Sequence, residues 1–218
     1  MSRPIDDAAA PERGSLAERL IIAAEKLIEC QGDFEFSMRG LAAHVGASPM
    51  AAYCHFDNKI NLLQAVAGRG FYRLQHATQN AVRSAGDDPL QQLENGGVAY
   101  VQFGYGNPAL YRLMFGPTLV AETTACFEKA RHAGWSVLAD TMQRCAERGY
   151  INAEDVERQA VYAWSMSHGL TMLMIDRSVH MFHDLSHKPC DIEQFIRCGI
   201  QQMCASIRYL KPESSESC

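Results

Sequence analysis

Three helix-start signals and the turn glycine Gly46 lie within the 21 residues from Ser37 to Asp57, and this spacing limits the fold more than any other feature of the chain. Ser37, Ser48 and Asp57 are residue types that cap helix N-termini, and Gly46 can adopt the positive φ that ends a helix and reverses the chain. Pro49 follows Ser48 at a first helical position, where a missing N–H costs nothing. The pattern predicts a helix-turn-helix whose second helix has about seven residues.

The rest of the chain also carries helix signals, and no segment shows the alternating pattern of a strand. A capping box at Ser15–Glu18 starts a first helix that Gly32 ends, and Asp57 caps a fourth helix that runs to about Ser84. Further helices are predicted to begin at 89 and 108 and to cover about 121–148, 152–176 and 191–210. We therefore expect an all-α protein.

The composition is that of a soluble protein with an ordinary core, with 47% hydrophobic and 21% charged residues. Two uncharged runs of 17 residues, 95–111 and 159–175, reach the lower limit for a membrane span, but both contain glycine or polar residues and are interpreted as buried helices. Residues 1–14 are polar and are predicted to be a tail and not a signal peptide. Residues 211–218 are also predicted to be a tail. The eight cysteines include no CxxC pair, which is typical of reduced thiols in the cytoplasm.

A helix-turn-helix can place its second helix in the major groove of DNA, which is about 12 Å wide. In this chain that helix carries Met50, Ala51 and Ala52, which have little bulk. Its backbone can therefore approach the base edges closely, and the side-chain methyl groups can contact thymine methyl groups.

Polar residues follow where this helix would leave the groove. Tyr53, His55 and Lys59 can donate to phosphates, and Phe56 is predicted to anchor the segment in the core. Residues 13–73 carry seven basic and six acidic side chains, whereas the rest of the chain has a formal charge of −6. An N-terminal segment that is less acidic than the rest of the chain is compatible with a small DNA-binding module.

Residues 20–74 resemble the N-terminal domain of the tetracycline-repressor-type (TetR) family. The resemblance is carried by Gly32, Ser37, Leu41-Ala42, Gly46-Ala47-Ser48, Tyr53-x-His55-Phe56, and Lys59 before Leu62-Leu63. Two positions depart from the family pattern: Ile60 stands where an acidic residue is usual, and Cys54 where a basic or aromatic residue is common.

The second half of the chain extends the resemblance. Residues 100–117 and 163–170 are similar to the TetR sub-group named for a Trp-His-Gly signature, carried here by Trp164, His168 and Gly169. Trp164 and His168 lie four residues apart and share a helix face, and Gly169 is expected to allow close helix approach.

The resemblance implies a role for each of nine residues. Ser37 and Arg39 would approach the DNA backbone, the groove-facing residues would be Ser48, Pro49, Met50 and Ala51, and Tyr53, His55 and Lys59 would hold phosphates. It also implies a division into a DNA-binding domain at 15–60, a linking helix at 58–84 and an effector-binding and dimerisation domain at 85–210.

The resemblance implies a cytoplasmic homodimeric regulator, a repressor that leaves a near-palindromic operator when a small molecule binds the larger domain. The last two helices would form a four-helix bundle with a second copy. The sequence supports this, because no residue between Arg158 and Asp176 is charged and such a helix must be buried on several sides. Movement of the fourth helix would carry the signal.

An apolar set at helical spacing allows two interpretations. The residues are Phe103, Tyr111, Met114, Phe115, Trp135, Leu138, Met142, Trp164, His168 and Met172. They can line a cavity for a hydrophobic effector or simply form the core.

An alternative hypothesis is a metal- or thiol-responsive regulator centred on 180–204. His180, His183, His187 and Cys190 could bind zinc or copper, although Pro189 indicates a loop. Cys198 and Cys204 are six apart on a helix and do not converge. No catalytic constellation or cofactor motif stands out, so neither an enzyme nor a cofactor is predicted.

Overall fold

The computed structural model describes residues 14–119, 123–176 and 191–208, and within these ranges all regular structure is helical. The α-helices are α1 (Leu16–Gln31), α2 (Met38–His44), α3 (Pro49–Tyr53), α4 (Lys59–Ser84), α5 (Pro89–Gly106), α6 (Pro108–Phe115), α7 (Ala125–Glu147), α8 (Val156–Ile175) and α9 (Ile192–Arg208). Short 3₁₀ turns occupy Pro117–Leu119 and Ala153–Asp155. The all-α prediction is confirmed.

Several predicted caps are present as hydrogen bonds. The Ser15, Ser37 and Ser48 hydroxyls accept from amides three residues ahead at 3.3, 3.0 and 3.1 Å. The Asp191 carboxylate accepts from two amides of the first turn of α9 at 3.0 and 3.2 Å. Gly32 ends α1 in the left-handed region at φ 75°. Side chains therefore supply the partners that a helix start lacks.

Three predicted helix starts differ from the structure. Asn58, not Asp57, caps α4, because its side-chain oxygen accepts from the Asn61 amide at 2.9 Å. The seventh helix begins at Ala125 instead of residue 121, with the Thr124 hydroxyl accepting from the Phe127 amide at 3.3 Å. Asn152 opens a 3₁₀ turn before α8.

The chain forms two compact units, and the boundaries fall within α4, between α5 and α6, and within α7. The first unit contains the described parts of residues 1–71 and 107–131. Its core comes from α1, α2, the first half of α4, and α6, with fully buried residues that include Leu20, Ile28, Leu41, Leu62, Leu63, Leu110, Tyr111 and Leu113. Phe71 packs edge-on against Phe115 and Phe127, with ring centroids 5.2 and 6.0 Å apart.

The second unit contains the described parts of residues 72–106 and 132–218, with α5, α8 and α9 packed on one another. A Cβ atom at Gly97 of α5 would lie 2.9 Å from Ile200 Cγ2 of α9, so only glycine allows this approach. Gly199 lies similarly close to Leu170. A Cβ atom at Gly169 would meet no atom of the described chain within 4 Å, so the close helix approach expected there stays a prediction.

The two uncharged runs belong to ordinary helices of the protein. Among the described residues, no helix combines the length and the apolar character that a membrane crossing needs. The predicted domain boundaries at 15–60 and 85–210 stay a prediction.

Candidate functional site

The turn between α2 and α3 is built by the backbone. Gly46 has φ 70°, and the amides of Gly46 and Ala47 donate to the carbonyls of Ala43 and Ala42 at 3.0 and 2.8 Å. These two bonds form a Schellman motif, which ends a helix and turns the chain sharply. The Arg19 guanidinium of α1 donates to the Val45 carbonyl in the same turn. The angle between α2 and α3 is therefore fixed from two sides.

The third helix presents one face to solvent. Ala52 is fully buried, and the short helix packs on α1 and α2 through this face. Met50 is 75% exposed and Tyr53 is 48% exposed, whereas Ala51 is half-buried. Exposed large side chains on such a short, rigid helix are available to a partner.

Five other predicted DNA-contacting residues lie shortly before or after this face in the chain. They are Ser37, Arg39, Ser48, Pro49 and His55, and all five are exposed. The hydroxyls of Ser37 and Ser48 accept from their own helices and can still donate to an external group.

Lys59 and Phe56 are half-buried. The Lys59 Nζ atom lies 4.7 Å from the centroid of the Phe36 ring, which is a cation–π contact. The sequence did not identify Phe36 as a contact of Lys59. The only available signal was its position directly before Ser37, which caps α2.

A polar and aromatic cluster lies in the second unit. The Trp164 indole N–H donates to the Tyr100 hydroxyl at 3.0 Å, and that hydroxyl lies 3.5 Å from His168 Nδ1. The rings of Trp164 and His168 are 5.3 Å apart, so the predicted shared face is confirmed. Trp135 packs edge-on against Trp164 at 6.3 Å.

Burial lowers the pKa of His168 below its usual value of 6.5, because a low-dielectric environment disfavours the charged imidazolium. A neutral imidazole can accept at one nitrogen and donate at the other. In the described residues, the cluster therefore combines indole rings with polar atoms that can both donate and accept. Tyr100 was not predicted from the sequence to belong to this cluster.

The rest of the predicted effector set is divided between the units. Tyr111, Met114 and Phe115 belong to the first unit, in which Tyr111 is fully buried and 4.7 Å from the Phe115 ring. The other residues belong to the second unit, where Met142 is fully buried and Phe103, Leu138 and Met172 are half-buried.

The predicted metal ligands His180, His183, His187 and Cys190 lie outside the described residues. Within those residues, no three His, Cys, Asp or Glu side chains come together in a way that could hold a metal ion. Cys198 is exposed on α9 and Cys204 is buried, so the two thiols occupy different environments. Cys145 is buried, and its pKa is raised to about 11 by burial and by Asp88, which keeps it protonated.

Exposed apolar side chains follow the outer faces of α8 and α9. They are Val161, Tyr162, Met166, Leu173 and Phe195, which are between 38% and 58% exposed. In α8, positions 162, 166, 169 and 173 follow the spacing of one helix face. We call Tyr162, Met166, Gly169 and Leu173 the α8 stripe.

Residues 20–66 match the family described as bacterial regulatory proteins, tetR family, and residues 93–188 match the tetracyclin repressor-like C-terminal domain. Together these matches cover more than half of the chain. The chain belongs to the TetR family. Its TetR-type N-terminal domain includes most of α1, all of α2 and α3, and the turn between α2 and α3. The exposed face of α3 therefore belongs to the family's helix-turn-helix.

Individual proteins are similar to part or most of the chain. The HTH-type transcriptional repressor BepR from Brucella suis is 26% identical over 42% of this chain and 44% of its own length. A protein of unknown function from Rhodococcus sp. RHA1 is 26% identical, with a TM-score of 0.75 over 93% of this chain and 98% of its own. A TetR variant from Acinetobacter baumannii AYE, solved with minocycline, is 17% identical, with a TM-score of 0.64 over 92% of this chain and 97% of its own.

Proposed function

We propose that this chain is a cytoplasmic, homodimeric transcriptional regulator, a repressor that leaves a near-palindromic DNA operator when a small hydrophobic molecule binds. The observation that carries the proposal is the rigid helix-turn-helix with an exposed reading face in a TetR-family chain. The similarity to the Brucella repressor supports repression over part of the chain.

The exposed face suits a major groove in both size and chemistry. Met50 projects from the helix, and Ala51 adds little bulk, so the backbone can come close to base edges. Tyr53 and Lys59 lie at the end of this helix and at the start of α4, from which they can donate to phosphates. Arg39, Ser37 and His55 add donors around the same face.

The α8 stripe supports the homodimer. A half-exposed tyrosine, methionine and leucine along one helix face are costly to leave in water. A two-fold axis would pack this face against the same face of a second copy. Gly169 lies in this stripe with open space above it, so a partner helix could approach closely there. Two copies would present two α3 helices to successive major grooves.

The cluster around His168 supports a small-molecule site in the second unit. Indole rings offer apolar surface, while Tyr100 and His168 offer oriented polar atoms, a combination found in ligand sites. The minocycline bound to the Acinetobacter protein is a multi-ring molecule in the same fold, which agrees with an aromatic or hydrophobic effector here.

A paired substitution tests the DNA-binding part. The double variant Tyr53→Ala and Lys59→Ala should leave two phosphates without a protein donor in each copy. We expect the affinity for duplex DNA to fall, and the slope of log K against log[salt] to become shallower by about 0.9 for each lysine that no longer neutralises a phosphate. Fluorescence anisotropy at several salt concentrations measures both quantities.

A matched control removes the same residue types elsewhere. Tyr105 and Lys129 are both exposed and lie outside the helix-turn-helix, so Tyr105→Ala with Lys129→Ala should bind DNA as the unmodified protein does. Unchanged affinity and slope in the Tyr53 and Lys59 variant would refute the phosphate roles.

A further inference from the structure

Lys59 occupies a position that helix electrostatics disfavours. It is the first residue of α4, directly after the capping Asn58, and the first turn of that helix contains no acidic side chain. The positive end of a helix dipole repels a cation, so an ammonium group placed there benefits from a compensating partner.

Phe36 supplies a partner from a distant part of the chain. It lies 23 positions earlier in the sequence, in the segment between α1 and α2, and its ring is 4.7 Å from Lys59 Nζ. The backbone on both sides is fixed: the Phe36 amide donates to the Phe34 carbonyl at 3.1 Å, and Ser37 caps α2. The backbone that carries the half-buried ring is therefore fixed.

We propose that Phe36 is a positioning residue for DNA binding, which holds the Lys59 ammonium ready for a phosphate. This inference rests on the proposed DNA-binding function. A free lysine side chain loses much rotamer freedom when it binds a phosphate, and a lysine already held by a ring has less freedom to lose. The half-buried state of Lys59 agrees with such a restriction.

The contact leaves the ammonium able to bind. An ammonium group has three N–H donors, and a ring face engages only the side of the group turned towards it. The other donors can reach a phosphate oxygen while the ring contact is kept. Removing the ring should therefore weaken DNA binding without removing a charge.

A double-substitution cycle tests this on a random-sequence duplex of about 30 base pairs, long enough for two half-sites one helical turn apart. Because phosphate contacts carry no sequence information, no operator is required. The variants are Phe36→Leu, Lys59→Gln, both together, and Phe36→Tyr, which keeps an aromatic face. Affinity is measured at several salt concentrations, and unfolding is followed by circular dichroism.

We expect Phe36→Leu to weaken binding about three-fold for each Lys59, or about ten-fold for a dimer that uses both, with an unchanged salt slope. Lys59→Gln should make the slope shallower by about 0.9 for each phosphate that it leaves unneutralised. Adding Phe36→Leu to Lys59→Gln should have little further effect, and Phe36→Tyr should bind like the unmodified protein.

Two results would overturn the inference while leaving the proposed function intact. One is equal weakening by Phe36→Leu with and without Lys59, which would mean that the ring acts only through the fold. The other is unchanged or tighter binding by Phe36→Leu. If the unmodified protein fails to bind the duplex at low salt, the proposed function falls, and this inference falls with it.

Discussion

At the scale of single residues, the cluster around His168 shows which contacts a sequence can reveal. Trp164 and His168 could be placed together because residues four apart share a helix face. Tyr100, which bonds to Trp164, could not, since it lies 64 residues away and no local pattern joins them. The same holds for Phe36 and Lys59, whose contact depends on how α4 returns past the start of α2.

The pKa of His168 gives a prediction for pH-dependent stability. Because this pKa is lower in the folded protein, the unfolded chain binds more protons below about pH 6.5. The free energy of unfolding should therefore fall as the pH is lowered from about 7.5 to 5.5, and His168→Gln should reduce that fall. Urea unfolding at several pH values measures the difference.

The exposed His132 provides the control for this prediction. His132→Gln removes no buried imidazole, so the pH dependence should match that of the unmodified protein. If the His168 and His132 variants behave alike, burial of His168 does not contribute to the pH dependence.

At the scale of elements, a helix start was predictable where the sequence offered one capping residue and ambiguous where it offered two adjacent ones. Ser37 and Ser48 stood alone as caps and were placed correctly. Asp57 and Asn58 are adjacent and both cap helices well, so composition could not choose between them. At the 3₁₀ turn before α8, the Asn152 side-chain amide donates to the Asp155 carboxylate at 3.4 Å instead of capping the helix.

Gln64 gives the element-scale prediction, because it ties α4 to the segment between α6 and α7. It is 1% exposed; its side-chain amide donates to the Leu119 carbonyl at 3.4 Å and accepts from the Thr124 amide at 3.1 Å. Gln64→Leu keeps the volume but removes both hydrogen bonds. We expect a loss of about 1–3 kcal/mol in the free energy of unfolding, since the buried Leu119 carbonyl and the half-buried Thr124 amide would lose this partner.

Chemical denaturation of Gln64→Leu and of Gln143→Leu, an exposed position on α7, separates this effect from a general response to leucine. The control should change stability by about 0.5 kcal/mol or less. Equal stability of both variants would show that the two hydrogen bonds contribute nothing net.

At the scale of the whole molecule, the fold class was predictable because glycine and capping signals recur throughout the chain and strand patterns are missing from the sequence. The extent of side-chain exposure along α8 was not predictable from the sequence. The uncharged run indicated burial on several sides, yet Tyr162 is 58% exposed and Met166 is 49% exposed in the single chain. A run of apolar residues reports burial in the final assembly and cannot separate a core from an interface.

The last prediction follows from that exposure. Met166→Lys places a charge in the α8 stripe, and a two-fold axis would bury the charge twice. Burial of the exposed half of each methionine contributes about 1 kcal/mol, and burying an unpaired ammonium group adds a desolvation cost, so the dimer dissociation constant should rise about a hundred-fold or more. Sedimentation equilibrium measures this rise, with Gln102→Lys on the exposed surface of α5 as a charge-matched control. A weakened dimer should also lose DNA affinity, because a single copy engages only one half-site. If Met166→Lys dimerises as tightly as the control, the stripe is not the interface, and the pairing of the two α3 helices requires another surface.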